Sequence, residues 1–133
     1  MKIITGGRYN GKLEYVMDNL GFSEPDILDL KNISVPEAAA AINNYPVLYH
    51  LESFIKKALL DKADYDSVIK DYVTARPDCV IICDEVGSGV VPVEREDDEW
   101  REAVGRTMCR LTETAGGVIR VTYGTAEEIS YAT

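Results

Sequence analysis

The stretch that decides the fold is the opening one, residues 1–15, "MKIITGGRYNGKLEY". "KIIT" reads as a short buried strand, glycines follow it, and a helix starts at about Lys12. Gly6, Gly11 and Lys12 stand at the spacing G-x-x-x-x-G-K. That spacing, between a strand and a helix, belongs to a phosphate-binding loop. The glycines let backbone N–H groups turn inward around an anion, the lysine adds a point charge, and the helix start adds its dipole. Gly6, Gly7, Arg8, Tyr9, Asn10, Gly11, Lys12 and Leu13 are therefore the candidate nucleotide-binding loop. One letter departs from the motif. Ser or Thr is expected after the lysine, and the chain has Leu13, which cannot ligate Mg²⁺. The alternative is a plain strand-to-helix turn with a chance lysine.

Outward from this loop, strands and helices alternate. "PDILDL" reads as a second strand. "SVPEAAAAINNYP" reads as a helix, with Ser34 and Glu37 forming a capping box and Pro36 in the first turn. "VLYHL" is a third strand, with His50 inside it. "ESFIKKALLDKA" and "DYDSVIKDYVTA" are helical. "DCVIIC" is a continuous apolar run suited to the centre of a parallel sheet. In "REDDEWREAVGRTMCRLTETA", Trp100, Ala103, Val104, Met108, Leu111 and Ala115 recur at helical spacing. Glu96, Asp97 and Asp98 suit its positive N-terminal end. "GVIRVTYG" is the last major strand, and "EEISYA" a short edge strand. This alternation predicts one α/β domain over residues 1–133, a three-layer sandwich with a mostly parallel sheet of the P-loop NTPase type.

Composition sets the outer limits. The chain has 133 residues, 46% apolar and 28% charged, which fits one globular domain. No apolar run approaches the ~20 residues of a membrane span, and the N-terminus lacks a signal-peptide pattern, so a cytoplasmic location is expected. The net charge of −9 disfavours nonspecific contact with nucleic acid or an anionic membrane. It does not disfavour a nucleotide, which backbone amides can hold locally. Cys79 and Cys83, on one strand, face one side too far apart to bridge and read as buried reduced thiols.

In open α/β sheets ligands bind at the carboxyl ends of the strands. "VIICDE" places Asp84 and Glu85 there. An apolar strand ending in acid is the pattern that puts a carboxylate near Mg²⁺ in P-loop proteins, so both are candidate metal ligands. A strand that merely ends in a polar residue is the plainer reading. Glu52 follows the third strand at the same end. The only histidine, His50, reads as structural.

"ITGGRYNGK", together with "DEVGSGVVPVER" and a long helix, resembles the bifunctional adenosylcobinamide kinase / adenosylcobinamide-phosphate guanylyltransferase family of cobalamin biosynthesis. That family opens T-G-G-x-x-x-G-K-S and carries a later loop N-E-V-G-x-G-I-V-P. Glu85, Val86, Gly87, Gly89, Val91 and Pro92 match the loop, and Gly105-Arg106 match a G-R in the helix that follows. "HLESF" resembles the family's strand-end L-L-E and carries Glu52 over as a nucleotide-site residue. The resemblance covers roughly residues 1–16 and 47–124. It implies GTP or ATP with Mg²⁺, adenosylcobinamide as second substrate, Lys12 and Glu85 as catalytic residues, and a homotrimer. Asp84 stands where the family has Asn. The family's nucleophilic histidine, in R-I-x-x-H-x-x-x-R-P, has no counterpart, so guanylyl transfer through histidine is not expected. Two rival readings stand beside this one: a non-catalytic nucleotide-binding or scaffolding protein on the same fold, and a P-loop enzyme with an unrelated substrate.

Overall fold

A computed structural model of the chain describes residues 1–86 and 95–129, including all of their side chains except those at 95–97. The glycine-rich loop matched at Gly87, Gly89, Val91 and Pro92 lies outside the described residues, as do the side chains of Glu96 and Asp97 and residues 130–132 of the expected edge strand.

In chain order the elements are β1 (Lys2–Gly6), α1 (Lys12–Leu20), β2 (Ile27–Asp29), α2 (Val35–Ala41), β3 (Val47–Tyr49), α3 (Leu51–Asp61), α4 (Tyr65–Ala75), β4 (Val80–Asp84), α5 (Arg95–Thr114), β5 (Gly117–Thr122) and β6 (Thr125–Ile129). They form an α/β fold around one six-stranded sheet of order β2-β3-β4-β1-β5-β6. Every pairing is parallel except β5 with β6. That last pair is a hairpin, closed by Tyr123 and Gly124 at φ 48° and 77°. Two consecutive positive φ angles give the turn whose twist matches the strands.

Handedness sets the layers. From β1 the chain steps outward to β2, then returns through β3 and β4 and crosses β1 to reach β5. Right-handed crossovers put the first helix on one face and the later ones on the other. The apolar contacts follow that rule. Ile4, Val47, Val80, Ile82, Ile119 and Val121 pack with Val16 of α1. On the opposite face Ile3, Leu48, Ile81 and Val118 pack with Ala38 of α2, Phe54 and Ile55 of α3, Ile69 of α4, and Ala103, Val104 and Leu111 of α5. Helices on both faces are consistent with a three-layer sandwich. β4 is buried at its first four positions, which explains its unbroken apolar run. Each of its buried isoleucines contributes about 1.5–3 kcal/mol of transfer free energy. Cys79 and Cys83 are buried free thiols on one face. No described helix is long and apolar enough to cross a membrane.

Local signals explain most boundaries. Gly21, at φ 78°, ends α1 as its left-handed cap. The Ser34 hydroxyl accepts from the Glu37 N–H at 3.3 Å at the start of α2. Asp64 does the same for α4, accepting from the Ser67 N–H at 3.1 Å. The second strand starts later than the reading of "PDILDL", because Glu24–Asp26 form a 3-10 turn. Ser23 and Asp26 cap each other there, and Pro25 sits in its first positions. The third strand stops earlier than "VLYHL" suggests. His50 is not in the strand. At φ 64°, ψ 51° it is the left-handed N-cap of α3, and the turn at this residue ends the pairing.

Candidate functional site

The order of the strands creates a crevice. β1 and β4 are neighbours, yet the helix after β1 lies on one face and the helix after β4 on the other. Their carboxyl ends are thus the topological switch point, where open α/β sheets bind ligands. A cleft of about 1120 Å³ opens there. Among the described residues it gathers six basic side chains, Arg8, Lys12, Lys31, Lys56, Arg101 and Arg120, against four acids, Glu14, Glu52, Asp84 and Glu85. In a chain of net charge −9 that is a local reversal of sign, and it favours a polyanionic ligand.

The glycine loop forms one wall. Gly6 ends β1 at φ 149°, where a Cβ would lie 2.3 Å from the Val121 carbonyl oxygen. Only glycine lets β1 and β5 approach so closely at this point. The loop then turns through Tyr9 at φ 60° and Gly11 at φ 90°. The β5–β6 turn braces it, with the Gly124 N–H donating to the Asn10 carbonyl at 2.9 Å. Inside α1 the first backbone bond to Gly11 is donated by Tyr15, at 3.0 Å. Among the described residues no acceptor meets the N–H groups of Lys12, Leu13 and Glu14, the normal condition of a helix start.

Lys12 and Asp84 form the centre. Parallel register sets Gly6 opposite Asp84, so the loop leaving β1 passes the end of β4. The Lys12 ammonium lies 2.8 Å from the Asp84 carboxylate and donates to the Gly7 carbonyl at 2.6 Å. Lys12 is 4% exposed and Asp84 13%. An ammonium carries three protons, so one remains for a third acceptor. Leu13 does not face this polar centre alone; it packs on the apolar cluster beneath α1.

Glu52 lies in the first turn of α3 and is 5% exposed. One oxygen accepts from the Asp84 N–H at 2.8 Å, the other from the Ser53 hydroxyl at 3.1 Å. Burial pushes its carboxyl up, and the nearby Asp84 charge adds to the effect; the Asp84 N–H and His50 act the other way. The Trp100 indole N–H donates to the Glu52 carbonyl at 2.8 Å and ties α5 to this corner. Glu85 is placed differently from Asp84. Its two carboxylate oxygens meet the Arg120 guanidinium at 2.8 and 3.0 Å in a bidentate pair. Asp84 is thus the better placed of the two strand-end acids to reach a cation in the cleft.

The structure brings Gly7–Leu13, Glu52, Asp84 and Glu85 to one cleft. It adds residues the sequence reading did not single out. Arg120 holds Glu85, and Asp29 holds His50, Nδ1 to Oδ1 at 2.7 Å. His50, read as structural, has one ligating atom within 4.8 Å of those of Glu52 and Asp84. A signal for Asp29 existed: like Asp84, it is an acid at the end of a strand. The Arg120 pairing spans 35 residues and has no local signal.

The chain matches no protein-family model and no curated protein sequence.

Proposed function

We propose that this is a P-loop NTPase-like nucleotide-binding protein, a short and divergent relative of the adenosylcobinamide kinase / adenosylcobinamide-phosphate guanylyltransferases, with GTP or ATP as its nucleotide and cobalamin biosynthesis as its setting. One observation carries the nucleotide reading. The lysine of the glycine loop and the acid ending the neighbouring parallel strand meet at 2.8 Å, at the switch point of the sheet. Charge-paired in this way, Lys12 is held at the mouth of the loop with a donor to spare. Phosphate oxygens of a nucleotide would take that donor and the unmet N–H groups of residues 12–14. The six basic side chains of the cleft supply the surrounding field.

In the kinase reading, a hydroxyl of adenosylcobinamide attacks the γ-phosphorus, the bond to the bridging oxygen breaks to release the nucleoside diphosphate, and the hydroxyl proton passes to water in the cleft. Mg²⁺, when bound, neutralises the charge spread over the β- and γ-phosphates. Asp84 would hold it, with Glu85 behind and water in the place of the missing loop hydroxyl, since Mg²⁺ keeps several waters readily. Lys12 orients the phosphates and offsets their charge.

The second reading, a binder without turnover, is favoured by Leu13. Its side chain is committed to the apolar layer and no hydroxyl replaces it. Calorimetry with GTP and with ATP, each with and without Mg²⁺, tests the nucleotide reading; no heat with either rejects it. Turnover assays with adenosylcobinamide then separate kinase from binder. Light scattering tests the homotrimer that the family resemblance implies, and a single-chain mass at working concentration rejects it.

A further inference from the structure

We infer that His50, Glu52 and Asp84 form a divalent-cation site for a borderline first-row metal such as Mn²⁺, Co²⁺ or Zn²⁺, filled without nucleotide, with Asp29 as its positioning residue. The site is separate in kind from a nucleotide-borne Mg²⁺, because it offers a nitrogen ligand from the protein.

The three groups come from two neighbouring strand ends. His50 is the N-cap of α3, Glu52 lies in its first turn, and Asp84 closes β4. One ligand atom from each lies within 4.8 Å of the other two. Tetrahedral ligands about 2.0–2.2 Å from one ion stand roughly 3.3–3.6 Å apart. Side-chain rotations that bring these atoms together by up to about 1 Å therefore close the set on a single cation. All three side chains border the same cleft, so the remaining coordination positions face its solvent. Three protein ligands with open positions is the layout of a reactive rather than a structural site.

One observation outside the cluster points the same way: Asp29 holds His50 from behind, Nδ1 to Oδ1 at 2.7 Å. The same Asp29 oxygen accepts from the Lys31 N–H at 2.9 Å, which fixes the carboxylate. A carboxylate only accepts, so in the neutral ring the proton sits on Nδ1, and Nε2 presents its lone pair. Carboxylate–histidine pairs of this kind orient metal-binding imidazoles. Stacking on Tyr49, centroid to centroid 3.7 Å, limits the ring's rotation. The Lys12 ammonium takes one oxygen of Asp84 and leaves the other for the metal.

A mixed imidazole–carboxylate set suits the later first-row divalent ions better than Mg²⁺, which prefers an all-oxygen shell. The test is a titration of nucleotide-free protein with Co²⁺, followed by visible absorption and calorimetry, and repeated with Mn²⁺ by electron paramagnetic resonance. The expected result is one site per chain, with a visible cobalt spectrum changed by histidine ligation. His50→Asn removes the imidazole yet suits the left-handed backbone at this position, so the fold persists; it should lower Co²⁺ affinity at least tenfold. Asp29→Asn, on a half-exposed edge strand, should lower it roughly 10–100-fold while leaving the spectrum histidine-like. Stoichiometric binding untouched by His50→Asn overturns the inference, as does the absence of saturable binding by Co²⁺ and Mn²⁺ alike. Because no nucleotide is present, these outcomes do not depend on the nucleotide reading, which calorimetry with GTP and ATP tests separately.

Discussion

Lys12 and Asp84 should be energetically coupled in the protein alone, before any ligand binds. At 2.8 Å, two unit charges attract by ~6 kcal/mol at an effective dielectric constant of about 20. Most of that is offset by the cost of removing both groups from water. The cost stays when one partner is deleted: breaking a buried pair typically destabilises by about 3–5 kcal/mol. Asp84 borders the cleft and water reaches it, which lowers the expected loss to about 2–3 kcal/mol. Lys12→Met keeps most of the buried stem and removes the charge. It also strips the Gly7 carbonyl of its donor at 2.6 Å, a further ~1 kcal/mol. Asp84→Asn leaves a nearly buried ammonium with weaker acceptors, at about 2 kcal/mol. The double variant buries neither charge and should lose little more than either single one. The coupling is then about 2–3 kcal/mol, read from urea unfolding of the four proteins without divalent ions. For a chain of this length, Lys12→Met should melt roughly 10 °C lower than the parent. Additivity within about 0.5 kcal/mol would mean that the ammonium does not rest on Asp84, and the site would lose its centre. With nucleotide present, Lys12→Met should also weaken GTP or ATP at least tenfold, ~1.4 kcal/mol.

Gly6→Ala should destabilise by about 2–4 kcal/mol, because its Cβ would press on the Val121 carbonyl and the backbone is strained for any side chain; a thermal melt equal to wild type refutes that close approach. Glu52→Gln should change the pH dependence of stability. Burial holds the Glu52 carboxyl above its ordinary value of 4.5, so the folded protein keeps a proton that the unfolded chain has released. That stabilisation is fully present below about 4.5 and fades as pH rises through the raised value. The glutamine variant, which keeps the acceptor for the Asp84 N–H, should therefore gain on wild type as pH rises above about 4.5 in metal-free urea titrations. A constant difference across that range contradicts the shift. Leu13→Ser should cost about 1 kcal/mol, since the half-buried leucine packs on the layer beneath α1. If its new hydroxyl ligates Mg²⁺, nucleotide affinity becomes more Mg²⁺-dependent; a folded variant indifferent to Mg²⁺ favours the binder.

What was legible in the sequence depended on how local its cause is. β4 was readable because a strand buried on both faces needs apolar residues throughout. α1 and α2 were readable because glycine and capping residues act within one turn. His50 was misplaced because "VLYHLESF" gives no local reason to stop a strand. The stop comes from a left-handed backbone at φ 64°, a conformation histidine adopts more readily than bulkier residues but which no neighbouring letter announces. The site pairings were hidden for a different reason. Asp29 meets His50 because β2 and β3 run parallel with Asp29 opposite Tyr49. Arg120 meets Glu85 because β1 lies between their strands, pairing Thr5 with Arg120 and Gly6 with Asp84. Such contacts follow from strand order and register, which spacing along the chain does not encode.

Leu13 and His50 belong to one argument about where a cation would be anchored. A serine after Lys12 would put a hydroxyl ligand on the loop itself, and the ion would then arrive with the phosphates it bridges. With leucine there, the loop retains only amides and Lys12, both suited to anions. The ligands that remain lie at the ends of β3 and β4, where Glu52 is buried and His50 is steadied by Asp29. Cation and anion subsites thereby rest on different donor types, imidazole and carboxylate against amide and ammonium, so each should fill without the other. Metal affinity measured with and without GTP or ATP would differ little, whereas a phosphate-borne Mg²⁺ requires strong mutual dependence. A coupling well above tenfold between metal and nucleotide, ~1.4 kcal/mol, would return the cation to the phosphates and leave His50 outside its shell.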